Sequence, residues 1–526
     1  MAGTAITKPK RELEVFFFVG CFFVVGFENV MERRAQVESF VKSAEENFAG
    51  IVLEEQEQEQ QDALCPVLRF GDVRVVLDVH KPTYFTVRLC EKKEGERDAT
   101  AEAFVQRLQM FLDYGPDAET RDLHAVLRHA SHLYLHDVKN AAAQRARQEQ
   151  VRPRLESELA ELARRPVFAR APRDAADAAA GAVRGMLAAS AAGALLDGYC
   201  RAPDAAEVAD ALLLGGGPAA GTWFAPGECP APAKAACACL SALARLSEAG
   251  AEAAGAEDGD WAVRLQRACP APRGAGGVRA ALLEAVVLGV WGHRLPVEQL
   301  AVLVADRCSE LSMKTAGAAE ATKTATATTE EEAREKEEEE ESRMRDVSGV
   351  CACVACAVAY LVGNAGDAQR HEHAYATACF VAESVVRADG AAAACRAAAQ
   401  LARDADIERS ARQAAIPLLV FAPAPAALCL ALAHLLRRAP LVPALESTAA
   451  AGGGRAQSLR FALVGAALGA LHGAWCVPPT LWEQLTTCPL YDYGTTRAQV
   501  PEDALPSAAD SALPIVLSHA PSSLSL

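Results

Sequence analysis

Residues 15–27 (VFFFVGCFFVVGF) run thirteen positions without a charge, and ENVMERR follows directly. The run is too short to span a bilayer, and no small-residue cleavage site follows it. Its density of Phe and Val predicts a strand buried on both faces, with a membrane anchor as the alternative reading. An amphipathic helix pattern comes next, at 28–48. Beyond the Gln/Glu-rich stretch EEQEQEQQD (54–62), apolar runs predict strands at 65–70, 73–79 and 83–89, with Gly71-Asp72 as a tight hairpin and Pro82 at the next turn. Helical periodicity returns at 99–114 and 118–136. Strand, helix, several antiparallel strands and two helices make a smaller α+β domain over 11–140.

The pattern then changes. Residues 141–175 read as a charged helical connector ending in prolines, and 176–498 as a series of Ala-rich helices separated by Gly/Pro turns, an all-α domain. Within it, 313–345 is low in complexity and is expected to be a disordered insertion. The Pro/Ser-rich residues 499–526 are expected to form a loose tail.

Composition sharpens this picture. Hydrophobic residues make up 51% of the 526 positions but aromatics only 6%, so alanine dominates and the chain as a whole should be mainly α. A net charge of −16 argues against nucleic acid and anionic membranes as partners, because phosphate surfaces need clustered Lys and Arg. No membrane span is expected. The 17 cysteines are odd in number and sit in Ala-rich helical runs such as CACVAC (351–356), which suits small buried residues in a reducing compartment. The opening residues show no Arg/Ser-rich amphipathic helix, so a cytoplasmic location is expected.

Several patterns suggest chemistry and fall short of it. Cys353 and Cys356 form a CxxC without a second pair at zinc spacing. His132 and His136 share a helix face with no third ligand apparent, and His124 and His129 lie on the same helix. His371 and His373 are alternate positions of a helix and point apart. LLLGGGPAAG (212–221) lacks the G-K-[ST] ending of a phosphate loop.

Three segments of the second half carry a family resemblance. FALVGAALGALHGAWCVPPTLWEQL (461–485) has small residues at Gly465, Ala466, Gly469, Ala470 and Gly473, then Pro479 and Trp482. Such a helix lets another backbone approach closely at a cost in helix propensity. VRGMLAASAAGALLDG (183–198) is a second Gly/Ala-rich helix, and GGVRAALLEAVVLGVWGHRLPVEQLAVLVADRC (276–308) has Arg279 in a G-x-x-M-R-like stretch with Val278 in place of Met. Together they resemble the ADP-ribosylglycohydrolase family over about 183–485. The resemblance implies a compact all-α fold whose enzymes remove ADP-ribose from modified protein groups. It also implies a pair of magnesium ions held between a D-D-T turn and a G-G-D-x-D-T turn, because hard cations want converging oxygens. The α+β part, by element order alone, is similar to longin or roadblock-type domains of trafficking and GTPase-regulating complexes.

At the positions matched to those ligands the acids are missing. Ala456 and Ser458 stand where the two aspartates of the last turn belong, after Gly453-Gly454-Arg455. Ala194 replaces the aspartate of the first helix, leaving Asp197 nearby, and Glu228 is the one acid where the D-D-T turn should lie. The degenerate cleft positions are thus Ala194, Asp197, Glu228, Arg279, Arg455, Ala456 and Ser458. No catalytic residue and no cofactor are expected, magnesium being the group implied if the register is misread. The chain reads as a pseudoenzyme serving as scaffold or subunit of a protein assembly, with protein partners. Two alternatives stand beside it. One is an active hydrolase with a rebuilt site using Glu228, Asp197 and Asp367. The other is a sensor that binds ADP-ribose or a nucleotide, with Arg455 on the diphosphate.

Overall fold

The computed structural model describes residues 51–54, 67–70, 73–81, 84–89, 141–164, 171–197, 203, 208, 211, 218–219, 222–223, 229–252, 277–308, 330–403, 423–451, 456–487 and 505–522. The chain divides into two compact units, Met1–Ala141 with Tyr493–Thr495 and Ala142–Asp492 with Thr496–Leu526. The described residues are mainly helical.

In the first unit, β1 (Ile51–Glu54), β2 (Val67–Phe70), β3 (Val73–Lys81) and β4 (Tyr84–Leu89) pair in chain order as an antiparallel meander. Phe70 faces Val73 with two residues between the strand ends, as the hairpin reading expects. Lys81 faces Tyr84. The edge strand β1 is absent from the sequence reading, since its IVLE runs three apolar residues into an acid and shows no alternation. The expected strand at 15–27, the helices at 28–48, 99–114 and 118–136, and His124, His129, His132 and His136 lie outside the described residues.

The second unit is built from helices α1 (Ala141–Arg164), α2 (Ala175–Leu196), α3 (Ala231–Glu252), α4 (Gly277–Trp291) and α5 (residues 297–308). Next come α6 (Glu330–Gly363), α7 (Arg370–Phe380) running into a π turn at Val381–Val385, and α8 (Asp389–Arg403). They are followed by α9 (Pro423–Leu436), α10 (Leu441–Ala451), α11 (Gln457–His472), α12 (Pro479–Thr486) and α13 (Pro506–Ser518). Every residue of α11 is buried. It packs against α2 on one side and α9 and α10 on others, while α6 packs on α4 and α7. One stretch, Arg345–Gly363 of α6, is long and apolar enough to cross a membrane, and 83% of it is buried within the fold.

The pairing of α2 with α11 explains the glycines. A Cβ at Gly181 would lie 2.1 Å from the Gly469 carbonyl oxygen, one at Gly185 2.2 Å from that of Gly465, and one at Gly193 2.7 Å from that of Gln457. As the α2 number rises the α11 number falls, so the helices run antiparallel. The contacts step by four residues, the row along which ridges interdigitate. Backbone meets backbone here, and nothing flexible can yield. Aspartates of α2 hold both ends. Asp177 accepts from the Ala474 backbone N–H at 3.1 Å, just past the end of α11, and Asp197 meets the other end, as detailed below.

Two expectations are corrected and one is extended. The helical character expected for the 141–175 connector is seen in α1, and α1 also packs onto the body: Leu155 is fully buried, and Glu158 accepts from the Thr480 N–H at 2.9 Å and its hydroxyl at 2.6 Å. Glu158 thereby serves the first turn of α12, whose N-cap Pro478 has no side-chain acceptor. The low-complexity insertion is helical from Glu330 onward. Glu, Ala, Lys and Arg propagate a helix readily, and here they extend one that the core already holds, so no new nucleus is needed. The expected loose tail contains α13, whose Ala509, Ala512, Leu513 and Val516 are buried at helical spacing. Asp510 accepts from Arg184 at 3.0 Å and from the Trp482 indole at 3.1 Å, and the Arg184 guanidinium lies 5.0 Å above the Trp482 ring.

Gly465→Ala should therefore lower stability by about 2 kcal/mol, overpacking outweighing the roughly 1 kcal/mol gain in helix propensity. Gly366→Ala, where an added Cβ meets nothing within 4 Å, should be neutral or slightly stabilising. Urea unfolding of both variants checks the contrast.

Candidate functional site

Four of the matched positions, Asp197, Arg279, Ala456 and Ser458, converge where the C-terminal end of α2 meets the N-terminal end of α11. The N–H groups of a helix's first turn need acceptors from outside the helix. The N-cap of α11 is Ala456, held in the left-handed region at φ 54 with no side-chain oxygen to offer. Asp197, the C-cap of α2, supplies the missing acceptor from another helix. Its Oδ1 accepts from the Ser458 N–H at 3.2 Å and its Oδ2 from the Ser458 hydroxyl. Arg279, on α4, donates to the same Oδ2 at 3.4 Å.

The electrostatics follow from burial. Asp197 keeps only 6% of its side chain exposed, against 32% for Arg279. Desolvation pushes the Asp197 carboxyl above the ordinary carboxylate range, and Arg279, the N–H and hydroxyl of Ser458 and the Gln457 N–H pull it back down. One turn into α11, burial lowers the Arg460 guanidinium to about 10, and Asp197 opposes that shift. Gln457 donates its side-chain amide to the Ala449 carbonyl at 3.2 Å, while its Oε1 is buried without a partner.

Asp197, Arg279, Ala456 and Ser458 are thus brought together. Ala194 is buried in the last turn of α2 and offers no oxygen. Glu228 and Arg455 lie outside the described residues. Asp367 is elsewhere. It accepts from the Gln369 N–H at 2.9 Å and pairs with the His373 ring at 2.8 Å, and these hydrogen bonds hold its carboxyl below the usual range. Arg370 follows and donates to the carbonyls of Ala365 and Leu471. Leu471 is thirteen residues along α11 from Ser458, about 20 Å at 1.5 Å per residue. His371 is buried beside Arg438 while His373 turns to Asp367, so the two point to separate surroundings.

Several polar residues that matter here escape a reading by family motif. Arg460, Gln457, Asp177 and Glu158 act through helix ends, and a helix end is a tertiary contact without a spacing rule. Glu284 had a local signal, a lone acid in AALLEAVVLGV. It is buried with Arg307 at 3.5 Å, and desolvation pushes its carboxyl up to about 7.

A pair of magnesium ions does not fit the described cleft residues. Ala194 and Ala456 carry no ligand oxygen, and both oxygens of Asp197 already accept from donors. Among the described residues no three His, Cys, Asp or Glu side chains form a group that would hold a metal ion. The sequence matches no family model and no curated protein, so the resemblance rests on the three quoted segments.

Asp197→Ala should cost about 3 kcal/mol in urea unfolding, since it leaves a helix N-terminus and a guanidinium without their acceptor. Ser458→Ala, which keeps the backbone N–H contact, should cost about 1 kcal/mol. An Asp197→Ala variant as stable as the parent would contradict the capping role.

Proposed function

We propose that the chain is a non-catalytic helical protein, built like an ADP-ribosylglycohydrolase, that works as a scaffold or subunit of a protein assembly. The observation that carries this is the state of Asp197. Its two oxygens accept from the Ser458 N–H and hydroxyl and from Arg279. A divalent cation there would have to displace the donors of α11 while facing the guanidiniums of Arg279 and Arg460, and like charges at close range are costly. The small-residue contacts between α2 and α11, by contrast, support a family-like core that outlasted its ligands.

The antiparallel meander of the first unit supports the finer reading of residues 11–140 as a longin- or roadblock-like α+β domain. In this account that domain is the partner-binding module, and the protein works in the cytoplasm without a cofactor. The rebuilt-hydrolase reading is weakened by distance, because about 20 Å of α11 separates the end near Asp197 from the end that Arg370, three residues after Asp367, binds. Two carboxyls so placed do not flank one scissile bond.

Full-length protein with magnesium should release no ADP-ribose from arginine- or serine-modified protein above the buffer background. Magnesium-dependent release would overturn the proposal. Release without magnesium that Glu228→Ala abolishes would favour the rebuilt site.

A further inference from the structure

We propose that Cys308 and Cys351 are an oxidisable pair, which a small-molecule disulfide converts into an internal staple between α5 and α6. Cys351 directs its thiol at the Cys308 sulfur, with 3.4 Å between the two Sγ atoms. Both residues are buried, at 2% and 0% exposure. Side-chain rotation has to close only about 1.4 Å to reach a disulfide bond of about 2.0 Å. Neighbouring thiols are engaged differently. Cys353 donates to the Ala378 carbonyl at 3.3 Å and also meets the Cys395 thiol, and Cys356 donates to the Val297 carbonyl at 3.6 Å. Two residues along a helix also puts Cys353 on a different side from Cys351.

The chemistry is thiol–disulfide exchange. The thiolate of Cys308 attacks one sulfur of the small disulfide, forming a mixed disulfide and releasing one small thiol. The thiolate of Cys351 then attacks the Cys308 sulfur and releases the second. Two protein thiols are oxidised, one small disulfide is reduced to two thiols, and the two protons leave with those thiols. Burial, with Cys308 and Glu284 close by, holds the Cys351 thiol well above its usual range. Exchange therefore waits for local opening and is slow, and the finished bond is shielded once the helices close. The bond spans a sequence separation of 43 residues that includes the glutamate-rich run. It would fasten α5 to α6, giving the scaffold a second, redox-dependent state of stability.

The test uses the full chain incubated with oxidised glutathione at mildly alkaline pH, then quenched with acid, alkylated and mapped by non-reducing peptide mass spectrometry. The expected product joins the peptides of Cys308 and Cys351 with the loss of two hydrogens. Tm should rise by about 5 °C, and dithiothreitol should reverse both changes. Cys308→Ser should remove the shift. The parent protein decides the matter even if that variant folds poorly. A link from Cys395 to Cys379 or to Cys353, whose thiols both meet it, in place of the expected one would overturn the inference. So would glutathione adducts alone, or full recovery of both residues as alkylated thiols.

Discussion

The helical unit depends on one close approach, the antiparallel contact of α2 with α11. At Gly181, Gly185, Gly465 and Gly469 the backbones meet where any side chain would collide with a carbonyl oxygen. The distance between these helices fixes where their ends fall, and the ends are where polar chemistry gathers. Asp177 reaches the N–H of Ala474 beyond one end of α11, and Asp197 reaches Ser458 at the other. Glu158 does the same for α12 from a third helix. In each case an acid of one helix satisfies the orphan N–H groups at or beyond the end of another. That arrangement joins distant parts of the chain without consuming residues of the apolar core.

This gives the Asp197 carboxylate a structural occupation. At the helix junction the resemblance to ADP-ribosylglycohydrolases leads one to expect oxygens awaiting metal. Asp197 is instead saturated by N–H and O–H donors and a guanidinium. Arg279 and Arg460 make the surroundings positive, the wrong sign for a divalent cation. A carboxylate that caps a helix already has a stabilising role, so its presence is no argument for catalysis.

Much of the architecture was legible in the sequence because it is written in local patterns. The Gly71-Asp72 hairpin and Pro82 mark strand ends by turn chemistry, and the glycines around 465–473 announce close packing by the absence of Cβ. The partner of that packing was not legible, since nothing in 461–473 says that Gly181 and Gly185 complete it. The helix α13 was hidden because Pro and Ser in 499–526 signal a loop by composition, while the buried spacing of Ala509, Ala512, Leu513 and Val516 signals a helix. Glutamates at 330–341 looked solvated and unstructured for a similar reason, although they lead into the buried turns of α6. At the site, Asp197, Arg279, Ala456 and Ser458 were identified by resemblance. Their meeting, and the part of Arg460, depend on how helix ends align in three dimensions.

The central claim is that Asp197 serves α11 and not a metal. Isothermal titration of the full-length protein with magnesium chloride tests it most directly. The account predicts only the heat of dilution, with no saturable binding at millimolar magnesium. Saturable binding that Asp197→Asn abolishes would contradict it and return the cleft to the metal-dependent enzymes it resembles.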